Sequence, residues 1–300
     1  MTVAATAPGT LMRWRIAARP PTLTAAVAPV LVGCGVAISQ WAFSLLPALA
    51  ALFGAIALQV GANFANDVFD FQRGADTAHR LGPPRVTQTG LMSAAEVKRG
   101  MWVAFGVAFV IGIYLVYVGG WPIVAVGLSS IAAAIIYTGG PWPIGYHALG
   151  DLFTFVFFGV VAVTGTYYVQ AGDLDSAAVW ASIPMGCTVT AILVVNNLRD
   201  IPTDRVAGKT TLGVVMGDRA TRAWYVSLLV GAYAGALALW PLGYASPAVL
   251  LVVLSVVPAL PLLKAVTSGV EGRPLNLTLR GTARFDLIFG ALFAVGLALS

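Results

Sequence analysis

Long apolar stretches dominate the chain, and polar residues gather in short clusters between them. Nine stretches approach the length of a membrane helix: residues 22–39, 43–66, 101–118, 123–137, 149–170, 177–196, 223–240, 247–266 and 285–300. About 20 apolar residues are needed to cross a bilayer. The fourth stretch falls short, which predicts a helix with little tilt or one extended through Trp121. Trp41, Trp121, Trp142, Trp180 and Trp240 lie at or near the ends of stretches, where an interfacial aromatic belt would place them. The pattern predicts an all-α, polytopic membrane bundle of nine transmembrane helices. Residues 1–300 read as a single membrane domain, because the longest loop, 67–100, is too short and too charged to form another. Residues 1–20 form an N-terminal segment with Arg13, Arg15 and Arg19, and no cleavage site of a secretory signal follows them.

Two of the stretches end in polar stripes. In the second, Gln59, Asn63, Asp67 and Asp70 fall at i, i+4, i+8 and i+11 of a helix, and Asn66 stands one turn before Asp70. The stripe runs on to Arg73 and Asp76. In the sixth, Asn196, Asp200 and Asp204 fall at i, i+4 and i+8, with Asn197, Arg199, Arg205 and Lys209 beside them. Pro202 is compatible with a helix that persists this far, since proline is tolerated near a terminus or kink.

Charge gives these stripes an address. Only 10% of residues are charged, against about 25% in soluble domains. With 59% hydrophobic residues, this excludes a soluble enzyme, a disordered chain and a nucleic-acid binder, despite a pI near 9.4. All 17 Lys and Arg fall on one side of the predicted membrane, in the N-terminal segment and in loops 67–100, 197–222 and 267–284 together with the adjoining helix ends; loop 138–150 lies on the same side and holds none. Loops 40–42, 119–122, 171–176 and 241–246 hold no cation. The positive-inside rule makes the basic side, and the N-terminus, cytoplasmic. Both polar stripes open onto that side. Cys34 and Cys187 lie in apolar runs and form neither a metal spacing nor a disulfide framework.

Facing carboxylates in a low-dielectric cleft repel one another. A divalent cation and an anionic ligand relieve this. Mg²⁺ favours one or two carboxylates together with phosphate oxygens. Asp67 with Asp70, and Asp200 with Asp204, are thus candidates for two metal positions bridged by a diphosphate, with Arg199, Lys209, Arg73 and Arg80 as neutralising cations. The apolar interior beneath would take a hydrocarbon tail, so a polyprenyl diphosphate fits. Metal-assisted loss of diphosphate would leave an allylic cation that a dry, aromatic wall protects. Asn63, Tyr137 and Asn197 join the candidate diphosphate set. Gln59 and Asp151, at the start of the fifth stretch, are candidates for a second, acceptor substrate. For Asp151 a favourable charge in a helix first turn is the competing reading. Arg13, Arg15, Lys98, Arg99, Arg219, Arg222, Lys264 and Arg273 read as solvated, His79 and His147 as loop residues without a metal, and Asp286 as one half of an interfacial pair with Arg284.

These residues resemble the UbiA superfamily of intramembrane prenyltransferases. The first motif is Asn66-Asp67-Val-Phe-Asp70 with Asp76 beyond it, and the second is Asp200-Ile-Pro-Thr-Asp204. The resemblance covers nearly the whole chain. It is most specific to the MenA branch, the 1,4-dihydroxy-2-naphthoate polyprenyltransferases, through 66–83, 137–146, 165–170 and 196–212. The six-residue step from Asp70 to Asp76 follows that branch, where ubiquinone-type relatives have four. The resemblance implies a nine-helix bundle in the plasma membrane, with Mg²⁺ held by Asn66, Asp67, Asp70, Asp76, Asp200 and Asp204. It also implies transfer of a polyprenyl group to 1,4-dihydroxy-2-naphthoate with loss of diphosphate and CO₂, giving demethylmenaquinol. A related enzyme acting on 4-hydroxybenzoate, homogentisate, haem or chlorin would share the metal site. A CDP-alcohol phosphotransferase would carry a D-G-x-x-A-R run, which the chain lacks. An ion-coupled transporter would hold its polar site near the bilayer midplane, where the stretches place no acid. Prenyl chain length and oligomeric state are not encoded in any motif of the chain.

Overall fold

The computed structural model describes residues 8–76 and 80–300; His79 lies outside them. Among the described residues all regular structure is helical, apart from one parallel bridge between His147 and Thr210. Helix α1 (Thr10–Ala18) turns through Pro20–Thr22 into α2 (Thr24–Ser39). Then follow α3 (Leu45–Gln72), α4 (Ala94–Gly119), α5 (Trp121–Ile136), α6 (Gly150–Ala171), α7 (Ser176–Val206), α8 (Leu212–Ala238), α9 (Pro247–Thr267) and α10 (Leu275–Ala298). Six of these, α3, α4, α6, α7, α9 and α10, are long and apolar enough to cross a membrane, and the α1–α2 pair, bent by 51°, makes a seventh. This is fewer than the nine that the apolar pattern predicts. Helix α5 is apolar but has only 16 residues. Helix α8 is broken at Gly217, whose φ of 77° is left-handed, and carries Asp218, Arg219 and Arg222 just beyond the break.

Helices α3 and α7 outrun their apolar stretches and carry both polar stripes as continuous helix. Helix α7 includes Pro202 without ending there, while α3 closes at Arg73 and Gly74 takes a φ of 72°. Helix α7 is the central strut: 72% of its apolar window is buried, against 17% for α4, whose apolar residues are largely left uncovered by the rest of the bundle. Helices α8, α10 and α6 pack around α7, α2 closes against α10 and α6, and α3 pairs with α4. The main core joins α2, α6, α7, α8, α9 and α10, and a smaller one ties α1 to α3 and α4 through Trp14 and Phe64.

Helix association in lipid depends on close backbone contact, and α2 and α10 achieve it with glycines. A Cβ on Gly35 would stand 2.5 Å from the carbonyl oxygen of Ala294. Gly35→Ala must therefore part the two helices, at a cost of about 1–3 kcal/mol. A lower melting temperature in detergent is the expected result, and an unchanged one would remove this contact from the account.

Two polar residues depart from the sequence reading. Arg222 is buried, not solvated: its guanidinium pairs with Asp218 and donates to the carbonyls of Val266 (2.6 Å) and Val270 (3.0 Å), closing the end of α9. Asp286 forms no pair with Arg284. Helix α10 begins at Leu275, so Asp286 lies midway along it, fully buried, accepting a hydrogen bond from the Thr188 hydroxyl at 2.8 Å. An acid does therefore sit near a helix centre, but it lies in the α7–α10 contact and not among the residues lining the large cavity described below.

Candidate active site

A cavity of about 650 Å³ opens between α2, α3, α4, α5, α6 and α7. This lies within the range of small-molecule sites. One end is polar and is lined by Asn66, Asp70, Asp200, Asp204, Arg85 and Lys209. The other end is an apolar bore. There α6 makes a π-helical segment, Phe155–Val161, which lets Phe157 and Phe158 join Phe153 in the wall. Gly159 sits in this segment because a Cβ there would meet the backbone of Gly186 at 2.4 Å.

The first polar wall is built on α3 and the loop that follows it. The Asp70 carboxylate accepts from Arg85 Nη2 at 2.9 Å and from the Tyr146 hydroxyl at 2.9 Å. Arg85 also reaches Asp76 at 3.2 Å, and Arg80 takes the other oxygen of Asp76. Burial by itself would lower the pKa of Arg85, but the carboxylates of Asp70, Asp76 and Asp67 outweigh it and hold the guanidinium charged. Burial and the Asp70 charge push the Tyr146 pKa up, so its hydroxyl stays a donor. Asn66 Oδ1 accepts from the Thr138 hydroxyl at 3.0 Å.

The second wall is the end of α7. Arg199 is almost fully buried and grips Asp200 through Nε at 2.7 Å and through Nη2. It also donates to Asn196 and to Asn276 of α10, each at 2.7 Å. Asn276 in turn donates to the carbonyl of Leu81 at 2.9 Å, so the loop after α3 is fastened to α7 and α10. Gly82 lies where a Cβ would be 2.9 Å from Arg199 Nη2. Asp204 lines the cavity, and among the described residues its carboxylate has no hydrogen-bond partner. Lys209 also lines it, with Nζ 5.1 Å from the centre of the Tyr146 ring.

The structure brings Gln59, Asn63, Asn66, Asp70, Asp76, Arg80, Tyr137, Asn197, Asp200, Asp204 and Lys209 to this one cavity. Asn63 spends both amide hydrogens on the Ala18 carbonyl and the Thr22 hydroxyl, each at 2.9 Å. Four expected site residues lie elsewhere. Asp67 is turned toward the Thr87 amide (3.1 Å), the Thr87 hydroxyl and Arg19 (3.5 Å), so it supports the wall and does not line it. Arg73 clamps the carbonyls of Thr138 and Gly140. Arg199 does not line the cavity, and four of its five N–H donors go to Asp200, Asn196 and Asn276. Asp151 accepts from Trp224 Nε1 at 2.9 Å, off the cavity, in the first turn of α6. Conversely, Arg19 and Arg85 line the cavity and were not among the expected residues. Each has a buried guanidinium nitrogen without a hydrogen-bond partner among the described residues. The one sequence signal for Arg85 is its cationic charge in an otherwise uncharged run, 83–90.

Divalent metal chemistry can be tested against this donor set. Among the described residues no three His, Cys, Asp or Glu side chains converge as a protein-only metal site. Carboxylate and amide oxygens instead face one cavity from two walls. That arrangement suits Mg²⁺, which keeps part of its shell for phosphate oxygens and water.

The sequence profile of the UbiA prenyltransferase family matches residues 26–274. The chain belongs to the UbiA prenyltransferase family. Among UbiA-type relatives it is 40% identical to a 1,4-dihydroxy-2-naphthoate octaprenyltransferase of Mycobacterium tuberculosis, covering 95% of this chain and 97% of that one. It is 31% identical to the enzyme of the same name from Bacillus subtilis, covering 96% and 92%. The fold matches a UbiA homologue from Aeropyrum pernix with a TM-score of 0.71 at 16% identity, over 89% of this chain and 96% of that one. A UbiA homologue from Archaeoglobus fulgidus, solved with GPP and Mg²⁺, matches with a TM-score of 0.69 at 14% identity, over 94% and 99%. Family membership and the long apolar helices make this an integral membrane protein.

Proposed function

We propose that this UbiA-family enzyme transfers a polyprenyl group from its diphosphate to 1,4-dihydroxy-2-naphthoate, releasing diphosphate and CO₂ and giving demethylmenaquinol for menaquinone synthesis. The carrying observation is the single cavity in which facing carboxylates and buried arginines lead into an apolar bore. A lipid diphosphate has the matching polarity, and the relatives named for dihydroxynaphthoate favour that acceptor.

In this reading, Asn66, Asp70, Asp200 and Asp204 would hold Mg²⁺, whose charge assists departure of the diphosphate. Arg85, Arg80, Arg19 and Lys209 neutralise the remaining phosphate charge from the protein side. Arg199 fixes the Asp200 carboxylate in one orientation, and Asp67 fixes Thr87 and Arg19. Phe153, Phe157 and Phe158 exclude water from the carbon left electron-poor when its bond to oxygen breaks. That carbon bonds to the ring carbon bearing the carboxylate, which leaves as CO₂. Nine membrane-crossing helices, with α5 and α8 among them, and an active site on the cytoplasmic face of the plasma membrane follow from the one-sided distribution of Lys and Arg.

Purified protein given a polyprenyl diphosphate, Mg²⁺ and dihydroxynaphthoate should yield demethylmenaquinol, read by mass spectrometry as the quinol or, after oxidation by air, as the prenylated naphthoquinone, with CO₂ released in equal amount. Product from 4-hydroxybenzoate and none from dihydroxynaphthoate would overturn the acceptor assignment.

A further inference from the structure

Gln59 lies on α3 one helical turn, about 5.4 Å, beyond Asn63 and away from the polar end. It lines the cavity, and its Oε1 is buried without a hydrogen-bond partner among the described residues. A buried acceptor left unmade costs more than a formed hydrogen bond returns. A ligand that supplies a donor at this level would therefore gain from it. The prenyl diphosphate does not supply one, since beyond its first carbon it is hydrocarbon. The aromatic acceptor carries hydroxyl donors.

The surroundings agree with an aromatic ring at this place. Ala55 and Ala62 share the face of α3 that carries Gln59, at i−4 and i+3. Helix α6, which packs on α3, presents Ala162 and Gly165 to the same cavity. Both helices thus bring small side chains to the cavity wall.

We propose that Gln59 is a specificity-determining residue for the acceptor. Its Oε1 accepts a hydrogen bond from the ring hydroxyl that lies away from the reacting carbon, the 4-hydroxyl of dihydroxynaphthoate. The assignment rests on the naphthoate reading above.

The test compares wild type with Gln59→Leu and Gln59→Asn, using 1,4-dihydroxy-2-naphthoate as substrate and 1-hydroxy-2-naphthoate as competitive inhibitor. Wild type should bind the dihydroxy compound about tenfold more tightly than the monohydroxy analogue. Gln59→Leu should raise KM for dihydroxynaphthoate by about the same factor, leave inhibition by the analogue within about twofold, and leave KM for the polyprenyl diphosphate unchanged. Gln59→Asn, with the amide withdrawn by one carbon, should fall toward Gln59→Leu. A rise in KM for the diphosphate, equal weakening of both aromatics, or an unchanged KM for dihydroxynaphthoate would each overturn the assignment. If wild type makes no product from dihydroxynaphthoate, it is the proposed function that fails instead.

Discussion

Asp70→Asn lowers kcat for prenyl transfer by about a hundred- to thousandfold, the scale on which single electrostatic groups matter in a dry site. The substitution keeps the volume of the side chain. It removes a charge that faces the cavity and that Arg85 and Tyr146 orient from two directions. The asparagine also turns an amide toward one of those donors, so the first wall loses its anchor as well as its charge. The protein should still insert and fold, because Arg85 retains Asp76. Initial rates in proteoliposomes, read beside the melting temperature, separate the two effects. Activity within a few-fold of wild type would remove Asp70 from the proposed metal and diphosphate machinery. By contrast, Asp67 contacts Thr87 and Arg19 and does not line the cavity, so Asp67→Asn should lower kcat less than Asp70→Asn does.

Arg199→Met destabilises the protein by about 3–5 kcal/mol, the usual cost of stranding one member of a buried ion pair. Loss of the guanidinium leaves Asp200 without its partner and frees the amide oxygens of Asn196 and Asn276. It also severs the link from α7 through α10 to the loop at Leu81. Arg199→Lys should recover little, because one ammonium cannot address three residues in the plane that the guanidinium spans. The expected observation is a large fall in melting temperature for both variants in detergent. A lysine variant as stable as wild type would show that charge alone, and not the forked geometry, holds this corner.

Asp286 shows why some polar positions resist sequence reading. The run of apolar residues after it marks only the second half of α10, and the first half is amphipathic enough to read as a loop carrying Arg280 and Arg284. A helix boundary judged by hydropathy follows lipid exposure, whereas the helix itself begins where the backbone can, at Leu275. Arg222 misled in the same way: a cation near a helix start reads as solvated until the end of α9 is packed over it.

The amino-acid sequence alone determined the membrane class, the long apolar helices and the pairing of two acidic stripes with an apolar interior. Those are consequences of composition and of the 3.6-residue period, which act locally along the chain. The tertiary structure decided which members of each stripe meet the cavity. Asp70 and Asp67 are neighbours on one helix, yet packing turns one toward the cavity and the other toward Thr87. Arg199 and Arg85 are both cations near acids, yet one is held by Asp200 and two asparagines away from the cavity while the other lines it. Period and charge fix the face of a helix. The partners that claim each donor come from segments remote in sequence, and only the folded arrangement brings them together.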